Sequence, residues 1–205
     1  MALIHRATIR PTKAELLADW VPTQPWGEPE SALVGAYRFD DPDGEVGIEA
    51  HVLATADGHW LHAPLTYRGA PLDGAEQFLV CTMEHSVLGR RWIYDAVGDP
   101  VYALVLASVL LAGAVQAAEL VEGADAPREP SVRVTGSRSG ADDVPPIDAV
   151  RVSSDRTSTV MEVSDELRMV VCRRPGPEAT ATDREHVLTG TWSGLEAPVL
   201  LAYVA

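Results

Sequence analysis

A chain of 205 residues, 46% hydrophobic and 22% charged, is long enough for one substantial core or two small lobes, and too apolar to be disordered throughout. Its 30 acidic residues outnumber 16 basic ones, for a formal charge of −14. Like-charge repulsion therefore excludes nucleic acid and an anionic membrane surface as expected partners. Among the basic residues only Lys13 is a lysine.

The N-terminal stretch MALIHRATIRPTK lacks a long apolar segment and a cleavage site, so the expected compartment is the cytoplasm. Thr12 and Glu15 form a T-x-x-E capping box after Pro11, Leu16, Leu17, Trp20 and Val21 follow at helical spacing, and Pro22 ends the run. After a proline-rich loop, Ala32 to Asp40 reads as a strand and Asp41 to Gly44 as a turn. Glu45 to Thr55 alternates, with Val46, Ile48, Ala50 and Val52 on one face and Glu45, Gly47, Glu49 and His51 on the other. Asp57-Gly58 marks a hairpin, and His59 to Tyr67 is the return strand. The pattern predicts a meander with one packed and one wet face.

Ala75 to Met83 fits a short helix or a strand, and Arg91 to Asp95 fits a strand. Asp99-Pro100 opens a long alanine-rich helix, predicted to run to Glu122 and to end at Gly123. Val101 to Ala118 is uncharged. As a helix it would be about 27 Å long, short of the ~30 Å bilayer core, and a buried core helix is expected. Glu122 to Pro130 reads as a linker, dividing residues 1–123 from a β-rich portion over 131–205, with the two packed as one unit. In that portion Val132 to Ser137, Val150 to Ser153, Thr159 to Val163, Arg168 to Arg173, Val187 to Trp192 and Val199 to Val204 read as strands, with Ser193-Gly194 as a hairpin turn. The loops Ser139 to Pro146 and Pro175 to Asp183 are polar and predicted to be mobile.

Cys81 and Cys172 follow apolar runs (FLVC, MVVC) and read as reduced core thiols; no C-x-x-C occurs, so no thiolate zinc site is expected. No metal and no cofactor is expected. On strands, His59 and His62 face opposite ways, whereas Glu49 and His51 share a face. A carboxylate beside an imidazole suits acid–base work, but a polar pair on the wet face of the sheet is the expectation. Cys81 and His85 would lie one helical turn apart only if that segment were helical, and the apolar run before Cys81 argues for burial instead. Glu84, His85, Arg90, Arg91, Trp92, Tyr94 and Asp95 form the densest polar and aromatic run. It suits a ligand or partner surface, or an internal ion-pair network holding sheet to helix. A concave sheet face lined by Glu49, His51, Trp60 and Tyr67 is the candidate seat for a sugar or metabolite. No G-x-S-x-G, G-x-G-x-x-G or Walker loop occurs.

Three strings, PTKAELLADWVPTQPW (11–26), DDPDGEVGIEAHVL (40–53) and APLTYRGAPLDGAEQFLVCTMEHSVLGRRWIYDAVGDPVY (63–102), resemble the N-terminal cap region of actinobacterial maltokinases. The resemblance implies an α+β fold, with a curved antiparallel sheet packed on helices, likened to the cystatin fold. The second half resembles a degenerate kinase N-lobe. Aligning Arg173-Arg174 with the family's F-R-R string puts Val170 where the ATP-binding lysine stands, and valine offers phosphates no charge. The stretch after Arg174 is too short for a catalytic loop and a second lobe. The resemblance thus implies a non-catalytic binding or regulatory protein linked to trehalose, maltose or α-glucan metabolism. Its alternatives are a small-ligand module, taking a sugar or metabolite, and an enzyme of carbohydrate metabolism using Glu49 with His51 or Glu84 with His85. A protein partner or a small metabolite is the expected occupant.

Overall fold

A computed structural model describes residues 2–136, 143–176 and 184–205. Of the two loops predicted to be mobile, residues 139–142 and 177–183 lie outside the described ones. The chain is α+β, built on two six-stranded antiparallel sheets, one of them strongly curled into a half-barrel.

Local chemistry sets the elements of the first sheet. Helix α1 (Lys13–Trp20) starts where Thr12 Oγ1 accepts from Glu15 N–H and Glu15 Oε2 accepts from Thr12 N–H at 2.8 Å, which satisfies donors that a helix start leaves open. Strands β3 (Ser31–Phe39), β4 (Gly47–Thr55) and β5 (Trp60–Arg68) form the expected meander. Its turns pass through Gly44 and Gly58 at φ 73° and 85°, backbone that favours glycine. The ambiguous segment after Ala75 resolves into a 3₁₀ turn (Glu76–Phe78) and strand β6 (Leu79–His85), paired with β7 (Gly89–Asp95). Near the N-terminus, β1 (Ala2–Ile4) and β2 (Ile9–Arg10) also form, and β2 lies on the edge of the sheet in the order β2-β6-β7-β5-β4-β3.

Helix α2 (Pro100–Ala112) begins as predicted, with Asp99 as N-cap accepting from Val101 N–H at 3.0 Å. It ends well before Gly123. Gly113 adopts the left-handed conformation at φ 71° and caps it, and the chain continues into β8 (Glu119–Val121), which pairs in parallel with β1. The uncharged run from Val101 to Ala118 thus divides between α2 and the loop after it, a division that periodicity alone does not reveal. Among the described residues no helix is long and apolar enough to cross a membrane.

The second sheet contains β9 (Val132–Gly136), β10 (Arg151–Ser154), β11 (Ser158–Glu162), β12 (Arg168–Cys172), β13 (Val187–Trp192) and β14 (Val199–Val204), in the order β10-β11-β12-β14-β13-β9. Asp155 Oδ1 accepts from Thr157 and Ser158 N–H to close the β10–β11 hairpin, and Gly194 at φ 95° turns β13 into β14.

One apolar core runs through both sheets. Tyr37, Ile48 and Val52 of the first, Leu106 and Leu110 of α2, and Met161, Met169 and Leu201 of the second belong to a single cluster. This explains why α2 is apolar on every side. A second cluster sits on the other face of the first sheet, where Leu16, Leu17, Val21 and Trp26 of the α1 segment cover Leu53, Leu61, Leu65 and Ile93. Both faces of β4 are therefore covered, and the expected wet face is not wet: Glu49 is 2% exposed and His51 1%. The sequence expectation fails because the cover comes from α1, far away in sequence.

Arg173, fully buried just after β12, ties the two sheets together. Its Nη2 lies 2.7 and 2.6 Å from the two carboxylate oxygens of Asp95 on β7, its Nε donates to Thr159 at 2.8 Å, and its guanidinium sits 4.7 Å from the Trp26 ring centroid. Its carbonyl accepts from His62 N–H at 2.8 Å. Next to it, Arg174 donates to the carbonyls of Trp26 and Gly27 and pairs with Glu28. Removing one partner of a buried pair strands the other charge, so Arg173→Met is expected to cost about 3–5 kcal/mol of unfolding free energy by urea titration. Adding Asp95→Leu to Arg173→Met is expected to restore part of that loss.

Candidate functional site

Lys13 is the first residue of α1, and the capping box fixes where that helix starts. From there its side chain reaches over β4, and Nζ lies 2.7 Å from Glu49 Oε1 and 2.5 Å from Oε2. Arg38 is the cross-strand partner of Glu49 in the β3–β4 register, and its Nη2 is 3.1 Å from Oε1. His51, two residues along β4 and so on the same face, has Nε2 3.7 Å from Glu49 Oε2 and 3.1 Å from the Tyr67 hydroxyl. Sequence parity placed Glu49 with His51. Lys13 and Arg38 were not picked out, although Lys13 was conspicuous as the one lysine.

Electrostatics lock this group. Burial opposes the charge on Glu49, but protonated His51, Lys13 and Arg38 outweigh it and hold the carboxyl down at about 2. Burial pushes His51 down to about 4, despite the pull of Glu49. Burial, then Glu49, raises the Tyr67 phenol well above its usual range. At neutral pH the cluster is thus a carboxylate between two cations, beside a neutral imidazole and a neutral phenol.

The cluster forms part of the wall of a cleft of about 480 Å³, lined among others by Lys13, Arg38, Glu49, Tyr67, His85 and Arg91. The N-terminal residues Ile4, His5, Ala7 and Ile9 and the β3–β4 turn close its sides. His85 Nδ1 accepts from Val87 and Leu88 N–H at 3.2 and 3.0 Å, so a neutral ring carries its proton on Nε2. Arg91 donates through Nη2 to the Leu88 carbonyl at 2.9 Å.

The other expected site residues lie elsewhere. Trp60 and Tyr67 are seven apart on β5, and an odd separation sends them to opposite faces. Trp60 meets Trp192 of the second sheet edge-on at 5.5 Å, so it does not share the face of Glu49, His51 and Tyr67. Glu84 and His85, adjacent on β6, also point apart; Glu84 pairs with exposed Arg90 at 2.7 Å. The run from 84 to 95 therefore divides: Asp95 belongs to the buried ion pair, His85 and Arg91 to the cleft, and Glu84 and Arg90 to the surface. Cys81 and His85 lie on a strand, about 13 Å of rise apart, and make no nucleophile pair. Burial raises both thiols, that of Cys172 to about 11.

Deep in the core, His62 Nδ1 is 3.2 Å from the Cys172 carbonyl, so that nitrogen carries the proton and Nε2 accepts from the Tyr37 hydroxyl at 2.9 Å. Burial, and then Arg173, push it down to about 3.

Fold and cleft together define an α+β protein whose two antiparallel sheets share a core, with a ligand-sized cleft on the helix-covered face of the first. Residues 20–99 match the family model of the maltokinase N-terminal cap domain. Among curated proteins no relative is found. Two solved structures are similar: a glucosamine kinase in complex with glucosamine, ADP and inorganic phosphate (18% identity, TM-score 0.48, covering 95% of this chain and 40% of that one) and a glucosamine kinase in crystal form A (17%, 0.48, 95% and 41%). This chain thus spans about two fifths of the length of either.

The pH dependence follows from three depressed groups. His51 and His62 fold in their neutral forms, so their contribution is full above the ordinary histidine value of 6.5 and is lost as pH falls toward about 4 and 3. Glu49 contributes fully above 4.5 and loses this as pH falls toward about 2. The melting temperature is expected to decline steadily on acidification below pH 6.5, and His62→Gln is expected to make that decline shallower in a pH series of thermal melts.

Proposed function

We propose that this chain is a non-catalytic, cap-type binding module acting in carbohydrate metabolism. The observation that carries the reading is the state of the polar cluster inside the cap-like domain. Glu49 is neutralised by Lys13 and Arg38, and His51 is neutral and buried. A general base needs a proton acceptor that titrates near working pH and reaches the substrate; these groups are instead held against one another. The carbohydrate context follows from the name of the matching family, maltokinase.

Val170 supports the same reading. In the resemblance to a kinase N-lobe it takes the place of the ATP-binding lysine, and it sits buried in β12 between Val160 and Tyr203. It brings no charge to a phosphate. The cleft itself favours a small molecule as one occupant, because its volume falls within the ~300–1,000 Å³ typical of small-molecule sites.

The purified chain, given ATP and magnesium with maltose or glucosamine, is expected to transfer no phosphate above a no-protein blank. Sustained transfer that falls in Val170→Glu or His85→Ala variants of unchanged melting temperature would contradict the proposal.

A further inference from the structure

The cleft sets cations beside carboxylates: Lys13, Arg38 and Arg91 share its lining with Asp40, Asp41, Glu45 and Glu49. With a net charge of −14 and one lysine in the sequence, the molecule nevertheless gathers Lys13, Arg38 and Arg91 around one small space. Glu49 at the cluster is a single carboxylate facing two of these cations at 2.5 and 3.1 Å. One would neutralise it; the second leaves positive charge on that wall, where the Lys13 and Arg38 side chains are partly exposed. Arg91 adds a third cation.

Arg38 Nε and Arg91 Nε make no hydrogen bond but are shielded from solvent, so a ligand meets these guanidinium groups through their Nη atoms. His85 carries its proton on Nε2 when neutral and lines the same cleft. Its pKa is lowered by burial first and then by His5, Arg91 and Lys13, so these groups act on one another across the space. Carboxylates on the β3–β4 turn complete the lining. Asp41 is committed to its own turn, accepting from Asp43, Glu45 and Val46 N–H, while Asp40 and Glu45 lie exposed at the opening.

We infer that this cleft binds a small hydroxylated anion, with its phosphate or carboxylate against Lys13, Arg38 and Arg91 and its hydroxyls toward the Glu45 side. The inference rests on the binding-module reading above and names the ligand class for it. Charge-assisted hydrogen bonds from guanidinium groups hold the anionic end, and the carboxylate-bearing opening accepts from hydroxyls. A volume of about 480 Å³ limits the ligand to a compact metabolite.

The test is titration calorimetry and thermal shift on the whole chain with glucose, glucose 6-phosphate, gluconate and inorganic phosphate. Glucose 6-phosphate or gluconate is expected to bind and to weaken with salt, with glucose and inorganic phosphate at least tenfold weaker; whichever of the two anions binds tighter identifies the anionic group. Arg91→Gln, whose one protein hydrogen bond goes to a turn carbonyl, is expected to keep its melting temperature and to lose about tenfold in affinity, as for one charge-assisted bond. Equal binding of glucose and its phosphate, binding of inorganic phosphate as tight as that of the hydroxylated anions, unchanged affinity in Arg91→Gln, or no binding by any probe would each overturn the inference. None of these outcomes bears on phosphate transfer, which tests the non-catalytic reading separately.

Discussion

The buried pairing of Arg173 with Asp95 is the constraint from which the rest of the architecture follows. Taking both charges out of water is expensive, and only close geometry with further hydrogen bonds offsets it. Here the guanidinium meets both carboxylate oxygens, Thr159 and the face of Trp26. These partners come from β7, from β11 and from the segment after α1, so a single side chain fixes both sheets and the helical cover relative to one another. The neighbouring backbone repeats the tie: the Arg173 carbonyl takes the His62 amide, and the Cys172 carbonyl takes the His62 ring. With the sheets held in this way, most of α2 is buried, and Asp99 at its start is clamped by Arg68 at 2.7 and 2.6 Å.

That arrangement also explains where the cleft lies. The second sheet and α2 occupy one face of the first sheet, and α1 occupies the other. Helix α1 covers only part of that face. At its first residue Lys13 bends onto Glu49, and the space beside them stays open between β2, β6 and the β3–β4 turn. A polar cluster forced under a helix must neutralise itself, and Lys13 and Arg38 do this for Glu49. Lys13 and Arg38, held by that carboxylate, also line the cleft.

Much of this was legible locally. The capping box at Thr12 and Glu15, the Asp99-Pro100 helix start, the turns at Gly58 and Gly194 and all six strands of the second sheet are set by nearby residues, and the sequence marks them. Strand parity correctly put Glu49 and His51 on one face. What it could not convey was what lies over that face: Lys13 and Glu49 are 36 residues apart, and no local pattern links them. The same limit hid the role of Arg173, whose partner Asp95 is 78 residues away. Trp60 was grouped with Tyr67 on one concave face, although their odd separation on β5 already sent them apart. Helix α2 was expected to run on to Gly123, but the left-handed cap at Gly113 ends it.

Native-state hydrogen exchange on the Asp95→Asn protein tests most directly whether the two sheets stand or fall together. The account predicts that the amides of β5 and of β12 lose protection by the same free energy, because the staple they share has been weakened. Loss confined to one sheet, with the other retaining its full protection, would contradict it.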